Sequence, residues 1–380
     1  MKHTSKLPNL ETTIFSVMSA LAHKHNAINL SQGYPNFESD KTLQKLVAKA
    51  MDNGYNQYAP MPGTFGLREA IAKKFDLLYR STYHPESEIV VTAGATQAIY
   101  TAITAFIRPE DEVVVFRPAY DCYVPTIELN GGKAISIQLE APNYAINWDE
   151  VKTKVSYKTK MIIVNTPHNP SGTVMSKEDM QQLEAITRDT NIIVLSDEVY
   201  EHIVFDDEQH QSACLFPELK KRSFITASFG KTFHNTGWKM GYCCAPKDLM
   251  NEFVKVHQFN VFSVNHPMQK ALAVYLQNEN HYLELASFFQ AKRDLFLELI
   301  KDSKFKFSAS KGTYFQAVDY SQISTQNDEA FCKWLTIEKG VAAIPISVFN
   351  KDKYDQKMIR FCFAKTDDTL KQAADILNQI

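Results

Sequence analysis

Much that would reveal a specialised chain is missing from these 380 residues. Charge of one sign is missing. Forty-one basic residues stand against 43 acidic ones, a formal net charge of -2, so no global field would draw in nucleic acid or an anionic membrane. Long apolar runs are missing too, and none approaches the roughly 18 residues of a membrane span. The opening Met1-Lys2-His3-Thr4-Ser5-Lys6-Leu7-Pro8 has no apolar stretch of the secretory-signal kind, so a cytoplasmic location is expected. Cysteine is sparse and scattered: Cys122, Cys214, Cys243, Cys244, Cys332 and Cys362 form no C-x-x-C pair. That pattern excludes a zinc ribbon, calls for no metal, and reads as reduced thiols. Adjacent Cys243 and Cys244 sit in the apolar run Gly241–Ala245, which suits burial rather than reactivity.

What is present is an ordinary globular composition, long enough for a substantial core and for two or three domains. No repeat or low-complexity tract interrupts it. From Glu88 to Ala245, short β-branched runs recur: Glu88–Thr92, Glu112–Phe116, Met161–Val164, Ile192–Leu195 and Phe224–Ala227. Runs without polar alternation predict strands covered on both faces. Helical periodicity falls between them. Ile99, Ala102, Ile103 and Phe106 repeat at helical spacing, and Ser176-Lys177-Glu178-Asp179 is a helix-start signal. Strand–helix alternation predicts an α/β fold with a mostly parallel central sheet. The ends differ. A charged helical stretch runs through Arg293 and Leu299, and strand-like runs follow at Gly312–Val318 and Met358–Phe363. The reading is a large domain at 46–284 and a smaller α+β domain made from 1–45 together with 285–380.

In open parallel sheets, ligands bind beyond the carboxyl ends of the strands. Four predicted strands deliver polar groups there: Thr92-Ala93-Gly94-Ala95-Thr96, Asn165 to Gly172, Ser196 to Tyr200, and Ser228-Phe229-Gly230-Lys231. Each has a plainer meaning by itself. Gly94-Ala95-Thr96 could be a tight turn rather than a phosphate cradle. Asn169-Pro170-Ser171-Gly172 is a turn by composition. Asp197 could cap a helix, and Lys231 could be a surface lysine. Their common placement is what signals a site.

The segment Ser228 to Gly241, with Lys231 at its start, resembles the lysine signature of class I and II pyridoxal-phosphate-dependent aminotransferases of fold type I. Asn169-Pro170-Ser171-Gly172, Asp197-Glu198-Val199-Tyr200 and Ile359-Arg360-Phe361 match that family's other landmarks in order. The likeness runs from about Ser31 to the end. It is closest to the methionine aminotransferase and kynurenine–glutamine aminotransferase branch, through Ser31–Phe37, Thr166–Pro170 and Gly237-Trp238-Lys239.

The resemblance implies a role for each matching residue. Lys231 would form the internal aldimine and later act as acid and base, which a desolvated lysine can do near neutral pH. Asp197 would face the pyridine nitrogen and keep it protonated. Tyr200 and Asn169 would bond the ring's phenolic oxygen, and Tyr120 would stack on its face. Ala95 and Thr96 would hold the phosphate through backbone N–H groups, with Ser228 and Lys239 adding a hydroxyl and a charge. Many family members carry arginine where Lys239 stands; this branch has lysine. Tyr58 would reach the phosphate of a neighbouring subunit, making a homodimer the working unit. Arg360 would clamp the substrate carboxylate, with Gly33 allowing close approach. Phe15, Tyr34 and, from the partner chain, Phe262 would surround the substrate side chain. That aromatic lining suits methionine, phenylalanine, tyrosine or kynurenine, and the resembled branch adds glutamine, whereas aspartate would want a second cation that none of the eight arginines supplies. The expected reaction is amino transfer to a 2-oxo acid. A C–S β-lyase on the same scaffold is the alternative. A cofactor-sensing DNA-binding regulator would need a domain ahead of the match and a basic face.

Overall fold

Among the described residues twelve strands form in chain order, and the β-branched runs supply the central ones. They are β1 (Ile28–Asn29), β2 (Ile89–Thr92), β3 (Glu112–Arg117), β4 (Lys133–Gln138), β5 (Thr159–Asn165), β6 (Ile193–Asp197), β7 (Ser223–Ser228), β8 (Gly241–Cys244), β9 (Phe315–Asp319), β10 (Val341–Ala342), β11 (Ile344–Pro345) and β12 (Met358–Cys362). The computed structural model describes residues 3–8 and 10–380. Seven strands make one sheet in the order β2-β8-β7-β6-β5-β3-β4. Only β8 runs against its neighbours β2 and β7; the remaining pairs are parallel.

The middle strands are buried on both faces, as unbroken apolar runs require. Val114, Ile162 and Val194 feed one core, while Val113, Ile163 and Leu195 feed the other. Each such side chain contributes about 1.5–3 kcal/mol by leaving water. The edge strand β4 carries Lys133, Ser136 and Gln138 among its six residues and is only partly buried, so its polar alternation hid it among the apolar runs. Cys243 and Cys244 are buried in β8, as expected.

Helix Gly94–Phe106 starts directly after β2 and buries Ala95, Ala98, Ile99, Ala102 and Ile103. Helix Lys177–Thr187 starts on a complete capping box, with Ser176 and Asp179 each bonding the other's backbone N–H. The chain ends meet. Parallel β1–β10 joins the first thirty residues to the last part of the chain, and β11-β12-β9 forms an antiparallel three-stranded sheet. The charged stretch becomes helix Leu285–Ile300, packed on Asp367–Leu377. A division at 45/46 would cut through helix Lys41–Asp52, which begins on an Asp40 cap and packs against His266–Tyr275. The six cysteines are free. Among the described residues no helix is long and apolar enough to cross a membrane, and no cluster of His, Cys, Asp or Glu could hold a metal ion.

Candidate active site

Because β2, β5, β6 and β7 point the same way, the segments after them converge at one edge of the sheet. They line a cavity of about 280 Å³ that the loop at residues 32–34 and Phe15, Phe315 and Arg360 close from the other side. Gly94, Ala95 and Thr96 open a helix there, with its first N–H groups free for an anion. Gly94 has φ +77°, and a Cβ on it would lie 3.6 Å from Lys239 Nζ, so the ammonium stands beside those N–H groups. Gly241 permits this approach. A Cβ there would lie 2.6 Å from Ala227 O and 2.9 Å from Gly94 C. Ser228 ends β7 and accepts from Lys231 N at 3.3 Å. Thr96 Oγ1 and Tyr120 Oη are 3.3 Å apart.

Asp197 ends β6 and is buried. Its partners are neutral: Tyr123 Oη donates to Oδ2 at 2.5 Å and Val199 N to Oδ1 at 3.4 Å. Burial outweighs both bonds and raises its pKa to about 6. Asn165 braces the same strand end, its Nδ2 donating to Asp197 O and its Oδ1 accepting from Asn169 N, both at 2.9 Å.

Lys231 Nζ reaches Gly33 O at 3.0 Å, where Tyr314 Oη also donates at 2.8 Å. Burial, and then the Arg360 charge, lower its pKa to about 8, which makes its amine available near neutrality. Tyr200 is buried against Tyr314 and Phe315, with its ring 5.8 Å from Lys231 Nζ. Arg360 is fully buried on β12. Its Nη1 donates to Asn169 Oδ1 at 2.7 Å and its Nη2 to Ser31 O at 3.1 Å, while Nε has no partner among the described residues. The guanidinium lies 3.8 Å from the Phe315 ring centroid and 5.4 Å from that of Phe15. A Cβ on Gly33 would meet Phe315 at 2.8 Å, so glycine is what fits between loop and ring.

Of the residues singled out in the sequence, the fold brings Phe15, Gly33, Tyr34, Ala95, Thr96, Tyr120, Asn169, Asp197, Tyr200, Ser228, Lys231, Lys239 and Arg360 to this cavity. Tyr58 and Phe262 are not there. They pack edge to face at 5.4 Å on the surface, 81% and 47% exposed. Sequence reasoning did not single out Tyr123, Asn165, Tyr314 and Phe315 as site residues. Asn165 had a usable signal, standing just past an expected strand; Tyr314 and Phe315 lie inside the expected run Gly312–Val318 with nothing to mark them, and Tyr123 had no signal.

The arrangement fits pyridoxal phosphate on its own terms. A helix N-terminus, a hydroxyl and an ammonium suit a phosphate. A buried carboxylate without a cationic bonding partner suits a protonated ring nitrogen, and a lysine of lowered pKa suits an aldehyde.

Comparison with known proteins agrees. The model of the family "Aminotransferase class I and II" matches residues 25–377. Methionine aminotransferase of Escherichia coli (strain K12) is 49% identical over 377 residues, 99% of this chain and 98% of that one. The crystal structure of YbdL from Escherichia coli, described as having a methionine aminotransferase function, superposes with a TM-score of 0.98 over the whole of both chains at 49% identity. A kynurenine–oxoglutarate transaminase of Dictyostelium discoideum is 34% identical, over 99% of this chain and 97% of its own. The chain is therefore a member of the class I and II aminotransferases of fold type I, enzymes that depend on pyridoxal phosphate.

Proposed function

We propose that this enzyme moves the amino group of sulfur-containing and aromatic L-amino acids to a 2-oxo acid. Methionine, phenylalanine and tyrosine are the expected donors, with kynurenine or glutamine as further ones. The observation that carries this reading is Arg360: a buried cation with no carboxylate partner among the described residues, flanked by aromatic rings and opening on the cavity of Lys231. A substrate carboxylate would meet its charge, and an apolar side chain would lie along Phe15 and Tyr34.

Pyridoxal phosphate, when bound, supplies an aldehyde for the substrate amine and a ring that accepts the electrons released at Cα. The protein's groups divide the remaining work. Lys231 Nζ would hold the cofactor and would move the proton at substrate Cα. Asp197 would keep a proton on the ring nitrogen. Tyr200 and Asn169 would donate toward the phenolic oxygen, and Tyr120 would lie against the ring. Ala95, Thr96, Ser228 and Lys239 would bind the phosphate. Gly33 and Arg360 orient the substrate carboxylate. The exposed Tyr58–Phe262 pair supports a homodimer in which each chain completes its neighbour's site. A cytoplasmic location, and a large domain that starts ahead of Lys41 and runs to residue 284 beside a small one from the chain ends, complete the proposal.

Two measurements test it. Borohydride should fix the cofactor to a peptide containing Lys231; fixation at another lysine would overturn the site. Methionine with a 2-oxo acid should yield the new amino acid. The relatives' names favour transfer over β-elimination, and release of pyruvate and ammonia from a cysteine conjugate without an acceptor would reverse that preference.

A further inference from the structure

Behind the turn that carries Asp197 and Tyr200 lies a second set of charges that faces away from the cavity. Asp197 and Tyr200 point to the site, whereas Glu198 and Glu201, on the same five residues, point into the interior. Glu201 is met by Lys74 Nζ at 2.5 Å and by Tyr242 Oη at 2.9 Å on Oε1, and by Tyr79 Oη at 2.9 Å on Oε2. Lys74 also donates to Tyr242 Oη at 2.6 Å and to His202 Nε2 at 3.0 Å, so that nitrogen must be the unprotonated one. The side chains of Lys74 and Glu201 are 4% and 3% exposed. Glu198 is bound by Ser196 Oγ at 2.7 Å, Ala213 N at 3.0 Å and His210 Nε2 at 2.8 Å.

A buried ion pair is a poor stabiliser against an apolar pair of the same shape. Its value lies in direction: Lys74 comes from helix Phe65–Tyr79 and Tyr242 from β8, so Glu201 ties the turn to two separate elements. Tyr200 is the residue next to Glu201. We propose that Lys74 and Glu201 are positioning residues for the transamination, holding the 197–201 turn so that Tyr200 and Asp197 meet the cofactor. Displacement of a catalytic group by about 1 Å can cost roughly 100-fold in rate, which sets the scale of the effect.

The inference rests on the assignment of Tyr200 and Asp197 to the cofactor, and the experiment separates the two. Holoenzyme is titrated with pH, reading the midpoint of the absorbance change of the lysine-bound cofactor, alongside kcat, KM and the melting temperature. The variants are Lys74→Met, Glu201→Gln and the double variant Lys74→Met/Glu201→Leu, with Tyr200→Phe as the control. The single variants should lower the melting temperature, move the midpoint and lower kcat at least tenfold while KM changes less than threefold. The double variant, with no lone buried charge, should recover the melting temperature but not the midpoint or kcat. Recovery of all three would make the pair merely structural and overturn the proposal, and so would single variants that lose only thermal stability. A midpoint unmoved in Tyr200→Phe itself would instead overturn the site assignment.

Discussion

Lys74 and Arg360 are both buried cations, and their surroundings are opposite. Lys74 finds a carboxylate, a phenol and an imidazole inside the chain. Arg360 finds an amide oxygen, a carbonyl and two aromatic faces, and among the described residues one of its nitrogens has no partner. Both have left water, which is costly for any ion without a counter-charge. For Lys74 the fold supplies the counter-charge. For Arg360 the proposed function leaves it to the substrate that enters the cavity. A structural cation and a binding cation thus differ less in burial than in who provides the partner.

That difference is tested most strongly by Arg360→Ala. Two charge-assisted bonds to a substrate carboxylate, at about 2 kcal/mol each, predict a fall in kcat/KM of about 1,000-fold. The cofactor absorbance should stay as it is; loss of the cofactor would place Arg360 in the wrong half of the site. Stability should respond in the reverse sense. Urea titration should show Lys74→Met costing about 3 kcal/mol, since it leaves Glu201 unpaired, while Arg360→Met stays within about 1 kcal/mol of the parent. Equal losses would erase the distinction.

Asp197 extends the same logic to an anion. Its folded pKa of about 6 lies above the ordinary carboxylate value, because burial resists ionisation. Its contribution in the cofactor-free protein is therefore present below about pH 4 and lost as pH rises through 6. Stability should fall by about 2 kcal/mol between those limits, and Asp197→Asn should flatten the slope. A slope unchanged by the substitution would deny the carboxylate this role. The smallest effect belongs to Tyr58→Phe, which should weaken cofactor binding about fivefold, the worth of one hydrogen bond of about 1 kcal/mol. An unchanged dissociation constant would remove Tyr58 from the partner's site.

The residues proposed to hold the cofactor were largely readable in the sequence because most of them stand just past an apolar run, and run ends are local features. Lys231, Asp197 and Asn169 needed only strand direction to be brought together. The proposed substrate half draws on Phe15 and Gly33 near the start of the chain and Arg360 more than 300 positions later, and only the family resemblance linked them. Tyr123 was invisible for another reason: it sits on the short helix Tyr123–Leu129, and its bond to Asp197 depends on packing that no periodicity encodes. The strand β4 escaped because a half-exposed edge strand is polar on alternate residues. The division at 45/46 failed to see that Asp40 begins a helix.

The reversal of β8 carries a consequence for insertions and deletions. Since β7 ends and β8 begins at the same edge, residues 229–240 leave and return without crossing the sheet, carrying Lys231 at one end and Lys239 at the other. The separation of the two ammonium groups is thus set by one connecting segment rather than by two independent ones. Lengthening it by a residue would leave the strand pairing intact and spoil the spacing of the two lysines, so a gap there should be tolerated by the fold and refused by the chemistry.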